Sequence, residues 1–226
     1  MIFMVVCILM CARQLYAENM SEKSVQQKHY EEIIPPTEDL MREHGLLNRI
    51  LIIYEETAHD IERHHRLDRD ILKAAVTIVR DFIEQYHEKM EENYIFPLFE
   101  KHKKHVRLVK ILREQHEAGR IITAQLERLL TREKKLSQRD LQSVARLLRK
   151  FIRMYRAHEA REDTVIFSEV RHFISQKDFE KLAEIFEDTE HELFGKDGFE
   201  GILKTVQDLE RQRGIADLAV FTPQSL

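Results

Sequence analysis

The chain has 226 residues, which is enough for one or two domains with a substantial buried core. Charged residues of both signs make up 34% of it, and it contains only six glycines and four prolines, a composition typical of helical proteins. The formal net charge of -4 argues against a nucleic-acid or anionic-membrane partner, and we interpret the short basic cluster at residues 101–105 as a solvated turn.

The amino-terminal residues 1–36 are predicted to be a leader and a linker. Met1–Ala12 is apolar throughout, about the length of a signal-peptide core and too short to cross a bilayer comfortably. The protein is exported or periplasmic if the leader Met1–Ala17 is genuine and cytoplasmic if translation starts at Met20, and the sequence leaves both open. Both cysteines lie in the leader, so disulfide bonds are not part of the predicted fold. No stable membrane insertion is expected after the leader.

Five helices and a shorter sixth are predicted after the linker, and no segment alternates like a strand. They run from Thr37 to about Asp60, from Asp68 to the region of Pro97, from about His105 to Glu133, from Ser137 to about Phe173, from Ser175 to Gly195, and up to Gly214. Four of these first residues are predicted helix caps, namely Thr37, Asp68, Ser137 and Ser175. Ser137 and Ser175 are each followed three residues later by an aspartate, a spacing that resembles a capping box. Pro97 is expected to bend or end the second helix. The predicted fold is all-α: an antiparallel up-down four-helix bundle at residues 37–174, with one or two additional helices in a carboxy-terminal extension and tail at residues 175–226.

The chain contains an internal repeat. Residues 87–96 and residues 158–167 both read H-E-x-x-E-acid-x-x-I-F, and each block follows a histidine in similar sequence company, His44 and His116 respectively. The two separations are nearly equal, at 43 and 42 residues from the upstream histidine to the first residue of its block. If a hairpin turn lies midway in each interval, antiparallel folding returns all four helices to one level, where these side chains converge.

Six residues are therefore candidate metal ligands: His44, His87, Glu91, His116, His158 and Glu162. Within each block, the histidine and the glutamate four residues later share one helix face and can hold a metal together. In the fourth helix they also share that face with Phe151 and Tyr155, so they interrupt a core stripe, where unsatisfied polar groups are costly. Four imidazoles and two carboxylates suit a binuclear site with bridging carboxylates. Without thiolates, they suit iron or manganese, and zinc remains compatible.

At these positions the sequence resembles the hemerythrin-like (HHE cation-binding) family, whose pattern is H…HxxxE…H…HxxxE. The resemblance covers residues 37–173, and all six pattern positions are filled in order. It implies two non-haem iron ions in an oxo- or carboxylate-bridged centre that binds O2 or reacts with peroxide or nitric oxide, with the six residues as ligands. Oxygen-carrying members place a further histidine where this sequence has Arg120, and this difference argues against reversible O2 carriage.

The predicted fifth helix contributes a further candidate ligand, His191, in the acidic segment at residues 187–195. At a rise of about 1.5 Å per residue, it can reach the level of the six residues, beside the small residues Gly119 and Thr123. His191 is predicted to be a seventh ligand or a close neighbour of the site, and the alternative is an exposed, acidic helix end.

Three classes of function fit these residues. The first is a diiron protein that binds O2 or reacts with peroxide or nitric oxide, as a sensor, a store or a scavenger. The second is an enzyme that decomposes peroxide or activates O2, and both of these need an open coordination position. The third is a helical interaction module with a zinc site or a vestigial one. The sequence favours the first class, and it leaves the physiological ligand and any protein partner open.

We expect the leader to be dispensable for folding, because every predicted cap and ligand lies after Pro36. A chain that begins at Met20 should therefore be as soluble as the full chain and bind the same amount of iron. Size-exclusion chromatography and elemental analysis of the two chains test this expectation. Aggregation or loss of metal in the shorter chain would show that the leader belongs to the fold.

Overall fold

Residues 34–223 are described by a computed structural model, and within this range the chain forms six main helices and no strand. The helices are α1 (Pro36–His64), α2 (residues 69–102), α3 (Val106–Leu130), α4 (residues 138–172), α5 (Gln176–Phe194) and α6 (Gly198–Arg213), followed by a short 3-10 turn at Leu218–Phe221. The predicted all-α class is confirmed. The predictions for the leader and its cysteines lie outside the described residues. None of the helices within this range is long and apolar enough to cross a membrane.

The four long helices form a bundle because short connections return the chain upon itself. Residues 65–68 join α1 to α2, residues 103–105 join α2 to α3, and residues 131–137 join α3 to α4. Each helix packs against the next one in the chain, and α4 also packs along the length of α1. The chain therefore runs up and down around a single core, and the predicted antiparallel bundle with two additional helices is confirmed.

Three of the four predicted capping residues cap their helices, whereas α1 begins at Pro36 and so includes the predicted cap Thr37. The Asp68 side chain accepts a hydrogen bond from the backbone N–H of Ile71 at the start of α2. Ser137 and Asp140 form the predicted reciprocal capping box at the start of α4, and Ser175 caps α5 through its side chain. Each cap satisfies a backbone donor that the first turn of a helix leaves without a partner.

Pro97 is predicted to bend or to end the second helix. It does not end this helix, because α2 continues to His102. Pro97 lies in the first turn of the last α-helical segment, Phe96–His102, where a backbone N–H is not needed. The turn before it, Glu91–Ile95, is π-helical. The proline thus falls where the hydrogen-bond pattern of the helix changes, so the chain continues without a break.

The carboxy-terminal helices α5 and α6 cover the side of the bundle formed by α1 and α2. Phe186 of α5 and Phe199 of α6 are buried, and the ring of Phe194 contacts those of Phe82 and Tyr86 at centroid distances of 5.2 and 5.6 Å. Fully burying such a side chain contributes about 1.5–3 kcal/mol. The extension is therefore held by a continuous apolar contact, and residues 36–223 form one compact unit.

Gly119 of α3 lies against the side chain of Tyr155 of α4. A Cβ atom at this position would lie 2.1 Å from the hydroxyl oxygen of Tyr155 and 2.9 Å from its Cζ atom. Tyr155 is buried and donates a hydrogen bond to Glu88 Oε1 at 2.6 Å, so its ring cannot move away without losing this bond. Packing therefore requires glycine at position 119.

We predict that Gly119→Ala lowers the free energy of unfolding, although alanine normally stabilises a helix interior by up to about 1 kcal/mol relative to glycine. Overpacking against Tyr155 should outweigh that gain, at a cost of about 1–3 kcal/mol. Gly45→Ala in α1 is the matched control, since a Cβ there meets no atom within 4 Å, and it should raise stability. Urea denaturation of the metal-free proteins measures both changes. If both substitutions stabilise the protein, the close contact at Gly119 does not exist.

Candidate metal centre

The bundle brings all six predicted ligand residues together at one level of its core. They come from all four helices: His44 from α1, His87 and Glu91 from α2, His116 from α3, and His158 and Glu162 from α4. Each is at most 3% exposed. Their ligand atoms form two groups in which all distances are at most 4.8 Å, namely Glu91, His116, His158 and Glu162 in one group and His44, His87 and Glu91 in the other.

Each glutamate of the cluster lies between two histidines. Oε2 of Glu162 is 3.0 Å from Nε2 of His158 and 3.4 Å from Nε2 of His44. Oε2 of Glu91 is 3.3 Å from Nε2 of His116, and its Oε1 is 3.7 Å from Nε2 of His87. Each carboxylate therefore lies between one histidine of the first half of the repeat, His44 or His87, and one of the second half, His116 or His158. This is the position that a bridging carboxylate takes in a binuclear site.

The outer edge of each imidazole is held by a side-chain oxygen. The Nδ1 atoms pair with these oxygens as follows: His44 with Asp163 at 2.7 Å, His87 with Glu43 at 2.5 Å, His116 with Glu92 at 3.0 Å, and His158 with Gln115 at 3.0 Å. Because these oxygens accept, Nδ1 of each imidazole carries a proton, and its Nε2 atom faces the centre of the cluster. The Nε2 atoms of His116 and His158 face each other at 3.1 Å, and a cation between them would relieve the repulsion of their lone pairs.

The oxygens of the two glutamates are the clearest sign of a bound cation. None of the four carboxylate oxygens of Glu91 and Glu162 has a hydrogen-bond partner among residues 34–223, although both side chains are fully buried. Burial and the nearby charge of Glu162 raise the pKa of Glu91 well above its usual range. Buried carboxylates without donors are costly, so the donor set fits a cation that would take the place of those donors.

The contacts around the cluster repeat with the sequence. The residue before each upstream histidine binds the histidine of the block that follows: Glu43 binds His87, and Gln115 binds His158. The acidic residue of each block binds the upstream histidine of the other half: Glu92 binds His116, and Asp163 binds His44. The phenylalanine that ends each block, Phe96 or Phe167, stacks on that same histidine of the other half, at centroid distances of 5.5 and 5.4 Å. The acidic and phenylalanine positions of the repeat therefore hold and cover the histidines of the opposite half.

Both blocks contain the same irregular turn. A π-helical turn starts at the ligand glutamate in each, over Glu91–Ile95 and over Glu162–Ile166, and the N–H of the following phenylalanine bonds to the glutamate carbonyl. A longer π-helical stretch, Val79–His87, leads to the ligand histidine of α2. Such turns shift the register of a helix face and occur often at functional sites. Sequence analysis missed them, although the shared block marks their position.

The two halves differ one turn after the upstream histidine. In α3 this position is Arg120, whose Nη2 contacts Glu88 Oε2 at 2.6 Å and Glu92 Oε1 at 2.5 Å. The hydroxyl of Tyr155 donates to the other oxygen of Glu88. In α1 the corresponding position is the uncharged Asn48. Arg120 therefore neutralises carboxylates beside the cluster and adds no further imidazole to it.

The structure does not bring His191 to this cluster. His191 is exposed on α5 and belongs to none of the metal-capable groups found among residues 34–223. The preceding residue, Glu190, turns inward instead and lies within 4.8 Å of Asp39 and Glu43. The spacing of the sequence indicates which side of α5 faces the bundle, because Glu190 lies four residues after the buried Phe186 and so shares its helix face.

Comparison with known proteins agrees with this geometry. The family model described as the hemerythrin HHE cation binding domain matches residues 36–170 and, a second time, residues 107–218. The chain belongs to this family. Uncharacterized proteins of Mycobacterium tuberculosis and Mycobacterium bovis are 40% identical over 195 residues, which cover 85% of this chain and 76% of theirs. No solved structure matches the chain. The second family match overlaps the internal repeat and extends into α5 and α6.

Two more carboxyl groups are buried on α2 beside the cluster. Glu84 accepts a hydrogen bond from the hydroxyl of Thr123, and Glu88 accepts one from Tyr155. Burial raises the pKa of Glu84 to about 7 and that of Glu88 to about 8, from an ordinary value of 4.5. Sequence analysis did not select either residue, although both lie at four-residue spacing with Glu92 on one face of α2.

We predict that Glu84 makes stability depend on pH. Its folded pKa of about 7 lies above the ordinary 4.5, so the stability that it contributes is fully present below about pH 4.5 and is lost as the pH rises through about 7. Glu84→Gln keeps a neutral group at this position. Its free energy of unfolding should therefore rise relative to the parent by about 1–3 kcal/mol between about pH 5 and pH 8.

Urea denaturation of the metal-free proteins across this pH range measures the effect. Glu133→Gln, at an exposed position after α3, is the matched control and should follow the pH profile of the parent. Parallel profiles for all three proteins would contradict the assignment of a raised pKa to Glu84.

Proposed function

We propose that this protein binds two non-haem iron ions and that the resulting centre reacts with O2, peroxide or nitric oxide, as a sensor, a store or a scavenger. The observation that carries the proposal is the set of four unpartnered carboxylate oxygens on Glu91 and Glu162, which lie between inward-facing imidazole nitrogens. Imidazole and carboxylate ligands without thiolate suit iron, with manganese and zinc as the competing ions. Bound iron would supply a redox-active site for small oxidants of this class.

The six residues would divide the two ions between the two halves of the repeat. His44 and His87 would hold one ion, His116 and His158 the other, and Glu91 and Glu162 would bridge them. The residues that bind Nδ1 would keep the imidazoles in this orientation, which is how outer hydrogen bonds act on histidine ligands. Phe96 and Phe167 stack on the upstream histidines and would limit the access of water.

The charges around the cluster favour oxidative chemistry over reversible O2 carriage. Three of the four imidazoles donate to carboxylates, of Asp163, Glu43 and Glu92, rather than to neutral acceptors. A carboxylate acceptor increases the basicity of the imidazole and so favours the more highly charged, oxidised metal. Arg120 adds no ligand atom, since it is committed to Glu88 and Glu92.

A second candidate function is the catalytic decomposition of peroxide. The observation that favours it is Glu88, a buried carboxyl group that directly follows the ligand His87 and has its pKa raised to about 8 by burial. Such a group holds a proton at neutral pH. In the decomposition of two H2O2 to two H2O and one O2, the peroxide that is reduced takes up two electrons and two protons, and the peroxide that is oxidised to O2 supplies both. A carboxyl group beside the site can therefore give a proton in one step and recover it in the other. The hydrogen bond from Tyr155 and the contact with Arg120 keep this carboxyl group beside the cluster.

We predict that the protein binds two iron ions per chain and that His158→Ala loses at least one of them. We expect iron to bind the folded form alone, so each bound ion should also stabilise the parent by about 2.7 kcal/mol at a free iron concentration 100 times its dissociation constant. His191→Ala is the matched control and should keep the full iron content, since His191 is exposed. Elemental analysis and the absorption spectrum of the oxidised centre measure the outcome.

Full iron loading in the His87→Ala, His158→Ala double variant would rule out the ligand assignment. If elemental analysis of the parent finds zinc in place of iron, the result supports the alternative of a helical interaction module with a zinc site. Oxygen release from added peroxide then separates the remaining functions, because an enzyme turns over many equivalents and a sensor or store reacts with about one per centre.

A further inference from the structure

A second group of carboxylates lies next to the metal centre, between α1 and α5. Asp39 and Glu43 of α1 and Glu190 of α5 each place one oxygen within 4.8 Å of the others. Asp39 and Glu43 are four residues apart and share a face of α1, and the packing of α5 on α1 brings Glu190 to that face. Three carboxylates at such distances repel one another unless a positive charge lies among them.

Arg42 offsets only part of this charge. Its Nη1 atom pairs with Asp39 Oδ1 at 3.2 Å, its Nη2 atom pairs with Glu200 at 3.3 Å, and its guanidinium lies over the ring of Phe199. Burial, together with the charges of Glu43 and Glu190, raises the pKa of Asp39 to about 7 in spite of Arg42. One arginine shared with a fourth carboxylate does not compensate three carboxylates, so full ionisation of the group is opposed unless a cation binds among them.

The side chain of Glu43 gives an independent indication of a ligand. It is only 1% exposed, and its Oε2 atom accepts a hydrogen bond from His87 Nδ1 at 2.5 Å. Its other oxygen, Oε1, has no hydrogen-bond partner within the described part of the chain. A buried carboxylate oxygen without a donor is costly, as at Glu91 and Glu162, and a cation would remove this cost.

We propose that Asp39, Glu43 and Glu190 form a third cation site, which takes a hard divalent ion of the manganese, ferrous iron or calcium class. Ligands that are all carboxylate oxygens favour such ions over zinc or copper. Metal–oxygen bonds of about 2.0–2.6 Å can connect oxygens that lie up to 4.8 Å apart. The site goes beyond the proposed function, because none of its residues is among the six proposed iron ligands.

Glu43 couples this third site to the metal centre. One of its oxygens would bind the cation while the other holds the imidazole of His87. Groups that hold a ligand in this way orient it and tune the metal. Occupancy of the third site would therefore change the environment of the half of the centre that contains His44 and His87.

Manganese binding tests the third site directly, because Mn²⁺ loses its free-ion electron paramagnetic resonance signal when it binds. The full chain is loaded with ferric iron, analysed for iron content, and then titrated with Mn²⁺. We expect one additional equivalent in the parent and at least about tenfold weaker binding in Glu190→Gln. The glutamine removes the charge and can still accept the 2.9 Å hydrogen bond from the N–H of Phe199. Glu184→Gln, an exposed position on the same helix, is the matched control and should bind as the parent does.

Equal Mn²⁺ affinity in Glu190→Gln and Glu184→Gln, or no Mn²⁺ binding by the parent, would overturn the proposal. Asp39→Asn provides a second variant of the site if Glu190→Gln does not fold. The iron content measured beforehand reports on the six-residue centre separately. If the parent contains no iron and Glu190→Gln weakens Mn²⁺ binding, the iron proposal is refuted and the third site is supported. If the parent contains its full iron and Glu190→Gln binds Mn²⁺ as the parent does, the iron proposal is supported and the third site is refuted.

Discussion

The burial of Glu91 and Glu162 is the constraint on which the rest of the structure depends. Two carboxylates in the middle of an apolar bundle cost several kcal/mol unless positive charge or donors compensate them. Residues 34–223 provide no hydrogen-bond donor to any of the four oxygens and surround them instead with the Nε2 atoms of four histidines. A cation at the centre would compensate these carboxylates, so metal binding is expected to stabilise the folded form.

The internal repeat gives this centre an approximate twofold symmetry, and the exceptions to that symmetry carry chemical meaning. Equivalent contacts hold all four imidazoles, but the acceptor for His158 is the neutral Gln115 where the other three are carboxylates. Arg120 in one half corresponds to Asn48 in the other, and each contacts the buried glutamate that follows a ligand histidine, Glu88 or Glu159, so the positive charge lies on one side only. Cations held by the two halves of the cluster would therefore have different electrostatic surroundings.

The sequence by itself determined the features that depend on spacing along one helix. The capping box of Ser137 and Asp140 is a contact within one turn, and it forms as predicted. The pairing of each ligand histidine with a glutamate four residues later is likewise fixed by the helix period. The repeat, with its nearly equal intervals, was enough to predict that four helices converge at one level. The all-α class followed from the same periodicity, because no segment alternates.

Only the tertiary structure decided which side chains meet across helices. His191 and Glu190 are neighbours in sequence, and the packing of Phe186 turned Glu190 toward the bundle and left His191 exposed. The partners of the ligand imidazoles lie on other helices in every case, so no local pattern could assign Glu43 to His87. The helix continued past Pro97 because the π-helical turn before it changed the hydrogen-bond register. The periodicity of the sequence fixes the faces of single helices, whereas the rotation of each helix about its own axis is set by the apolar surfaces that it buries against its neighbours.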